Sequence, residues 1–85
     1  MAKVEIYTKM MCPYCVRAKR LLAERKVELV EYPVDFGGEK KSEMIQRTNG
    51  RTTVPQIFIN GRHIGGCDDL FELEMAGKLT ELLAA

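Results

Sequence analysis

Eighty-five residues make one domain, and a 46% hydrophobic content is enough for one modest core. A net charge of +1 argues against a general nucleic-acid grip or a membrane-surface role. No apolar run approaches the roughly 18 residues of a membrane span. Met1-Ala2-Lys3-Val4 leads straight into a strand pattern without the apolar core of a signal peptide, so the expected setting is the cytoplasm, where thiols are kept reduced.

Residues 3–8 predict a strand, with Val4 and Ile6 on one face and Glu5 and Tyr7 on the other. Lys9-Met10-Met11 is the loop to a pair of cysteines, Cys12-Pro13-Tyr14-Cys15. A helix is predicted from about Pro13 to Arg25, with Cys15, Ala18, Leu21 and Leu22 on one face and Arg17, Lys19 and Arg20 mostly off it. Leu29 to Val34 reads as a second strand, and Pro33 places it at an edge or marks its end. After the loop Asp35-Phe36-Gly37-Gly38, a helix is predicted over Glu39 to Thr48. Its Met44 and Ile45 face inward, Lys40, Lys41, Glu43 and Arg47 face solvent, and Asn49-Gly50 closes it.

Val54-Pro55 opens a third strand, Gln56 to Ile59, apolar enough to be buried on both faces. Asn60-Gly61 is a strong hairpin signal, so Arg62 to Gly65 should return antiparallel. Gly65-Gly66 turns the chain into a last helical region from about Cys67 to Leu83, with Asp68 and Asp69 in its first turn and a break or kink at Gly77. Its core contacts fall to Leu70, Phe71, Leu73, Leu79, Leu82 and Leu83. A right-handed strand–helix–strand unit makes the first two strands parallel, and the hairpin adds an antiparallel pair. The expected architecture is an α/β fold, a four-stranded mixed sheet flanked by helices. Two cysteines at its first strand–helix junction point to a thioredoxin-like fold.

The cysteine pair carries the chemistry. Cys12 at the first turn of a helix meets unpartnered N–H groups and the positive end of the dipole, and both favour the reactive thiolate. Pro13 suits that turn because its missing N–H would have had no helical partner. Cys15 returns to the same side one turn deeper, close enough for a disulfide and the less exposed of the two. Three cysteines are too few for a disulfide framework, which leaves redox or metal chemistry. A closed zinc site needs four ligands, and the only residues left to complete one, His63 and Cys67, sit on the far hairpin and helix start, so no metal is expected. The pair therefore reads as the reversible dithiol of a thiol–disulfide oxidoreductase.

Four segments in order, Val4 to Lys9, Cys12-Pro13-Tyr14-Cys15, Thr53 to Ile59 and Gly65-Gly66-Cys67-Asp68-Asp69, resemble the small dithiol glutaredoxins of bacteria. The resemblance covers almost the whole chain. It implies glutathione as reducing co-substrate, bound beside Cys12. Lys9 and Tyr14 would flank the groove, with Lys9 near the glycyl carboxylate. Thr53 and the backbone of Val54, before a cis Pro55, would meet the glutathione cysteine. Gly66, Cys67 and Asp68 would receive the γ-glutamyl end. It further implies disulfide or glutathionylated proteins as substrates, ribonucleotide reductase among the family's targets, with glutathione reductase and NADPH supplying electrons indirectly to a monomer. Met11 departs from the small or polar residue frequent before the first cysteine. A cluster-carrying dimer and a glutathione-independent reductase are the rival readings. His63 is expected to be an exposed strand residue, and Cys67 a small residue filling space near the groove.

Overall fold

The structure is a computed structural model and describes residues 2–84. Its sheet has the order β2-β1-β3-β4. The interior strand β1 (Lys3–Thr8) runs parallel to β2 (Glu28–Pro33) and antiparallel to β3 (Gln56–Ile59), which pairs antiparallel with β4 (Arg62–Gly65). The helices are α1 (Pro13–Ala23), α2 (Gly38–Arg47), α3 (Cys67–Met75) and α4 (Lys78–Ala84).

The alternation of β1 sorts its side chains between two layers. Val4 and Ile6 pack with Ala18, Leu21 and Leu22 of α1, Leu70 of α3 and Leu79 of α4. Tyr7 faces the opposite way, against Val34 and Met44. Each fully buried aliphatic side chain in the first layer is worth about 1.5–3 kcal/mol. Every residue of β3 is buried, including Gln56. Phe58 of β3 faces His63 of β4 while Ile57 faces Gly65, so Ile64 is the extra residue of a bulge. Bulges bend a strand and increase its twist, and this one lies directly before α3.

Element ends differ from the expected ones by one or two residues. The first helix stops at Ala23 rather than Arg25, because Arg25 N–H bonds back three residues to the Leu22 carbonyl and tightens the last turn. Its side chain crosses to Glu74 of α3. The second strand starts at Glu28, whose N–H reaches the Ala2 carbonyl, and Pro33 is its last residue on an edge strand. The second helix ends before Thr48. The last helical region divides at Gly77, where φ is +74°.

Two side chains expected in solvent are drawn inward. Arg47 lies over the Phe58 ring at 3.8 Å and donates to Glu5 Oε1 at 3.0 Å and to the Tyr7 hydroxyl at 2.7 Å. Glu43 accepts from the Tyr7 hydroxyl. The cause is Tyr7, whose hydroxyl is buried on this face and must be bonded. Burial opposes the Arg47 charge, but Glu5 and Tyr7 outweigh it and hold its pKa above the usual range.

Candidate functional site

The site begins where β1 ends. The chain leaves Thr8, passes Met11 at a φ of +54°, and enters α1 through Cys12, which is extended and caps the helix. Val16 N–H donates to the Cys12 carbonyl at 3.1 Å, the first bond of the helix. Cys15 N–H donates to Cys12 Sγ at 3.2 Å, so the sulfur occupies the place of a capping oxygen. Pro13 fills the first helical position.

The two thiols differ sharply in surroundings. Cys12 is half-buried, whereas Cys15 is 1% exposed beneath it. Burial, then the hydrogen bond with Cys12, push the Cys15 thiol up to about 12. Burial also raises Cys67, against the pull of Arg17. All three cysteines are free thiols.

One side of this end of the molecule carries a groove of about 190 Å³ lined by Tyr14, Arg51, Thr53, Val54, Pro55, Gly66, Cys67, Asp68 and Asp69. The Val54–Pro55 peptide is cis, as expected. The wall comes from the loop before β3 and the floor edge from the start of α3, where Gly66 N–H donates to Asp69 Oδ2 at 2.8 Å. The structure thus brings together Tyr14, Thr53, Val54, Pro55, Gly66, Cys67 and Asp68. Lys9 is not among them: it lines a neighbouring cleft with Met10, Met11, Cys12, Cys15 and Lys19. Thr8 and Lys19 both donate to Glu31 in the same cleft, at 2.6 and 3.0 Å.

Three residues escaped the sequence reading. Arg51 adds a cation to the groove, and no pattern in the chain marked it. Asp69 lines the groove while capping α3; an acid three residues after Gly66 was the available sign. His63 is not exposed: it stacks on Phe58 with ring centroids 4.9 Å apart, and its Nε2 lies 2.8 Å from Gln56 Oε1. The β3–β4 register sets His63 directly opposite Phe58, with Ile64 the bulged residue between it and Gly65. Among the described residues, no group of three or more His, Cys, Asp or Glu side chains could hold a metal ion.

A family model described as Glutaredoxin matches residues 4–64. The chain belongs to the glutaredoxin family. This glutaredoxin is 59% identical over 83 residues to Glutaredoxin 3 of Escherichia coli (strain K12), across 98% of this chain and 99% of that protein. The solution structure of glutaredoxin from Brucella melitensis superposes with a TM-score of 0.81 at 52% identity, covering 98% of this chain and 89% of that one. A crystal structure of a buckwheat glutaredoxin–glutathione complex superposes with a TM-score of 0.82 at 32% identity, covering 95% and 76%. Family and dithiol agree: this glutaredoxin is a thiol–disulfide oxidoreductase, with the Cys12–Cys15 pair at the expected helix start.

Proposed function

We propose that the chain is a glutathione-dependent oxidoreductase with Cys12 as nucleophile and Cys15 as resolving thiol. The single observation that carries this reading is the stacking of the two thiols: Cys12 reachable at the helix cap, Cys15 sealed below it and held protonated. The groove beside them suits a tripeptide with two carboxylates and one amine. Arg51 offers a cation to a carboxylate, the start of α3 offers N–H groups to another, and Asp68 offers a carboxylate to the amine. Tyr14, Thr53, the Val54 backbone, Pro55, Gly66 and Cys67 complete the lining. Lys9 lines the neighbouring cleft with Cys12 and adds positive potential there.

In the monothiol route, the Cys12 thiolate attacks the glutathione sulfur of a mixed disulfide. A Cys12–glutathione disulfide forms, and the target leaves as its thiolate. A second glutathione thiolate then attacks the bound glutathione sulfur, releasing oxidised glutathione and the Cys12 thiolate. In the dithiol route, Cys12 attacks a protein disulfide, forms a mixed disulfide and expels one target thiolate. The Cys15 thiolate next attacks the Cys12 sulfur, expels the second target thiolate and closes a Cys12–Cys15 disulfide, which two glutathiones reduce. The order follows from electrostatics. Before the first step, burial, then the hydrogen bond and charge of Cys12, oppose Cys15 ionisation. Once Cys12 is in a disulfide its charge is gone, burial alone remains in opposition, and Cys15 loses its proton more readily.

The test is steady-state reduction of a glutathione mixed disulfide, coupled through glutathione reductase and NADPH. Cys12→Ser should abolish it, and Cys15→Ser should retain it while losing reduction of a protein disulfide. Loss of both activities in Cys15→Ser would overturn the division of roles.

A further inference from the structure

The groove wall, residues 51–55, belongs to no helix or strand, so no backbone ladder fixes it. Besides the Tyr7 hydroxyl, the polar side chains of Thr8, Thr48 and Gln56 are buried. Two of them, Thr48 and Gln56, sit behind this wall. A buried polar group is costly unless bonded, so the bonds these two make describe what they hold.

The Thr48 hydroxyl donates to the Met44 carbonyl at 2.8 Å and accepts from Arg51 N–H at 3.1 Å. It thereby ties the wall's first residue to the end of α2. At the other end, Gln56 Nε2 donates to the Thr53 carbonyl at 3.1 Å and to the Thr53 hydroxyl at 3.2 Å. A carbonyl only accepts, which fixes the amide orientation and leaves Gln56 Oε1 as an acceptor for His63 Nε2–H at 2.8 Å. His63 is in turn stacked on Phe58, which lies under Arg47. Neither Thr48 nor Gln56 lines the groove.

We propose that Thr48 and Gln56, the latter backed by His63, are positioning residues that clamp the groove wall at its two ends and so set the Val54 backbone for the glutathionyl group. The proposal rests on the glutathione reading above. The clamps act on recognition and leave the Cys12–Cys15 turn untouched.

The experiment compares Thr48→Val, Thr48→Ser and His63→Phe, the last of which keeps a ring on Phe58 but removes the donor. Three quantities are measured: amide hydrogen exchange at Arg51, KM and kcat for a glutathione mixed disulfide, and the rate of Cys12 alkylation by iodoacetamide. Losing one partner of a buried hydrogen bond corresponds to about a tenfold effect. Thr48→Val should speed Arg51 exchange about tenfold and raise KM by a similar factor. Thr48→Ser, which keeps the hydroxyl, should restore both. His63→Phe should raise KM without altering Arg51 exchange. Alkylation should stay within about twofold of wild type in all three, because the tenfold penalty of a lost hydrogen bond falls on the wall. Wild-type KM in folded Thr48→Val and His63→Phe, or alkylation falling in parallel with turnover, would overturn the clamps. A wild-type protein inert toward the mixed disulfide would instead defeat the glutathione reading, while Arg51 exchange still reports on Thr48.

Discussion

At the scale of single residues, Gly65 shows how little freedom the approach to the groove leaves. Its φ is +122°, and a Cβ there would stand 2.3 Å from Asp69 Oδ2. That carboxylate is the one that accepts from Gly66 N–H and sets the start of α3. Gly65→Ala should therefore cost more than the roughly 1 kcal/mol of an ordinary unfavourable glycine replacement, read as a lower urea midpoint. The substitution should also weaken turnover of a glutathione mixed disulfide, since Gly66 and Asp69 line the groove. Cys12, Pro13 and Cys15 were legible in the chain because a helix start is a local event, decided by four consecutive residues. His63 was not. Its contacts depend on the β3–β4 register and on Gln56 seven positions away, and period-two alternation alone reports neither.

At the scale of elements, α2 is braced to the sheet by charge as well as by Met44. Arg47 reaches Glu5 on β1, and Tyr32 on β2 donates to the same Glu5 carboxylate at 2.9 Å. The hydrogen bond from Arg47, opposed by burial and reinforced by Tyr32, holds Glu5 below the usual carboxylate range. A depressed folded value means that the brace contributes its full stability above about pH 4.5, the unbound carboxylate value, and loses it as pH falls through the folded value. Glu5→Gln should cost about 1 kcal/mol at neutral pH. It should also flatten the acid limb of a plot of urea midpoint against pH; an unchanged acid limb would mean that the brace is idle. The helices themselves were legible from spacing, including the interruption at Gly77. The brace was not, because a charged residue on a helix reads as solvated until the opposing strand is known to present a buried phenol.

At the scale of the whole molecule, two unlike layers cover one sheet. The α1, α3 and α4 side is mostly aliphatic, whereas the α2 side is a lattice of phenols, carboxylates and a guanidinium. The strand–helix–strand order foretold the parallel first pair of strands. The seating of β3 between β1 and β4 required contacts such as Ile6 with Ile57, some fifty positions apart, and no local pattern encodes such a register. About forty positions separate Cys12 from the groove wall, which is why the cysteines announced themselves and Arg51 did not.

The burial of Cys15 makes the chain count its own thiols differently for different reagents. An alkylating agent such as iodoacetamide caps Cys12 and then finds Cys15 and Cys67 both buried, so mass spectrometry of the native protein should register one fast adduct. An aromatic disulfide reagent leaves Cys12 in a mixed disulfide instead. Cys15 lies next to that sulfur and, as the resolving thiol proposed above, should expel the bound half from within, so that two chromophores leave for one molecule of reagent consumed. In denaturant, alkylation should reach all three. Two adducts on the native chain, or a single chromophore released, would mean that the second thiol is not where the fold puts it.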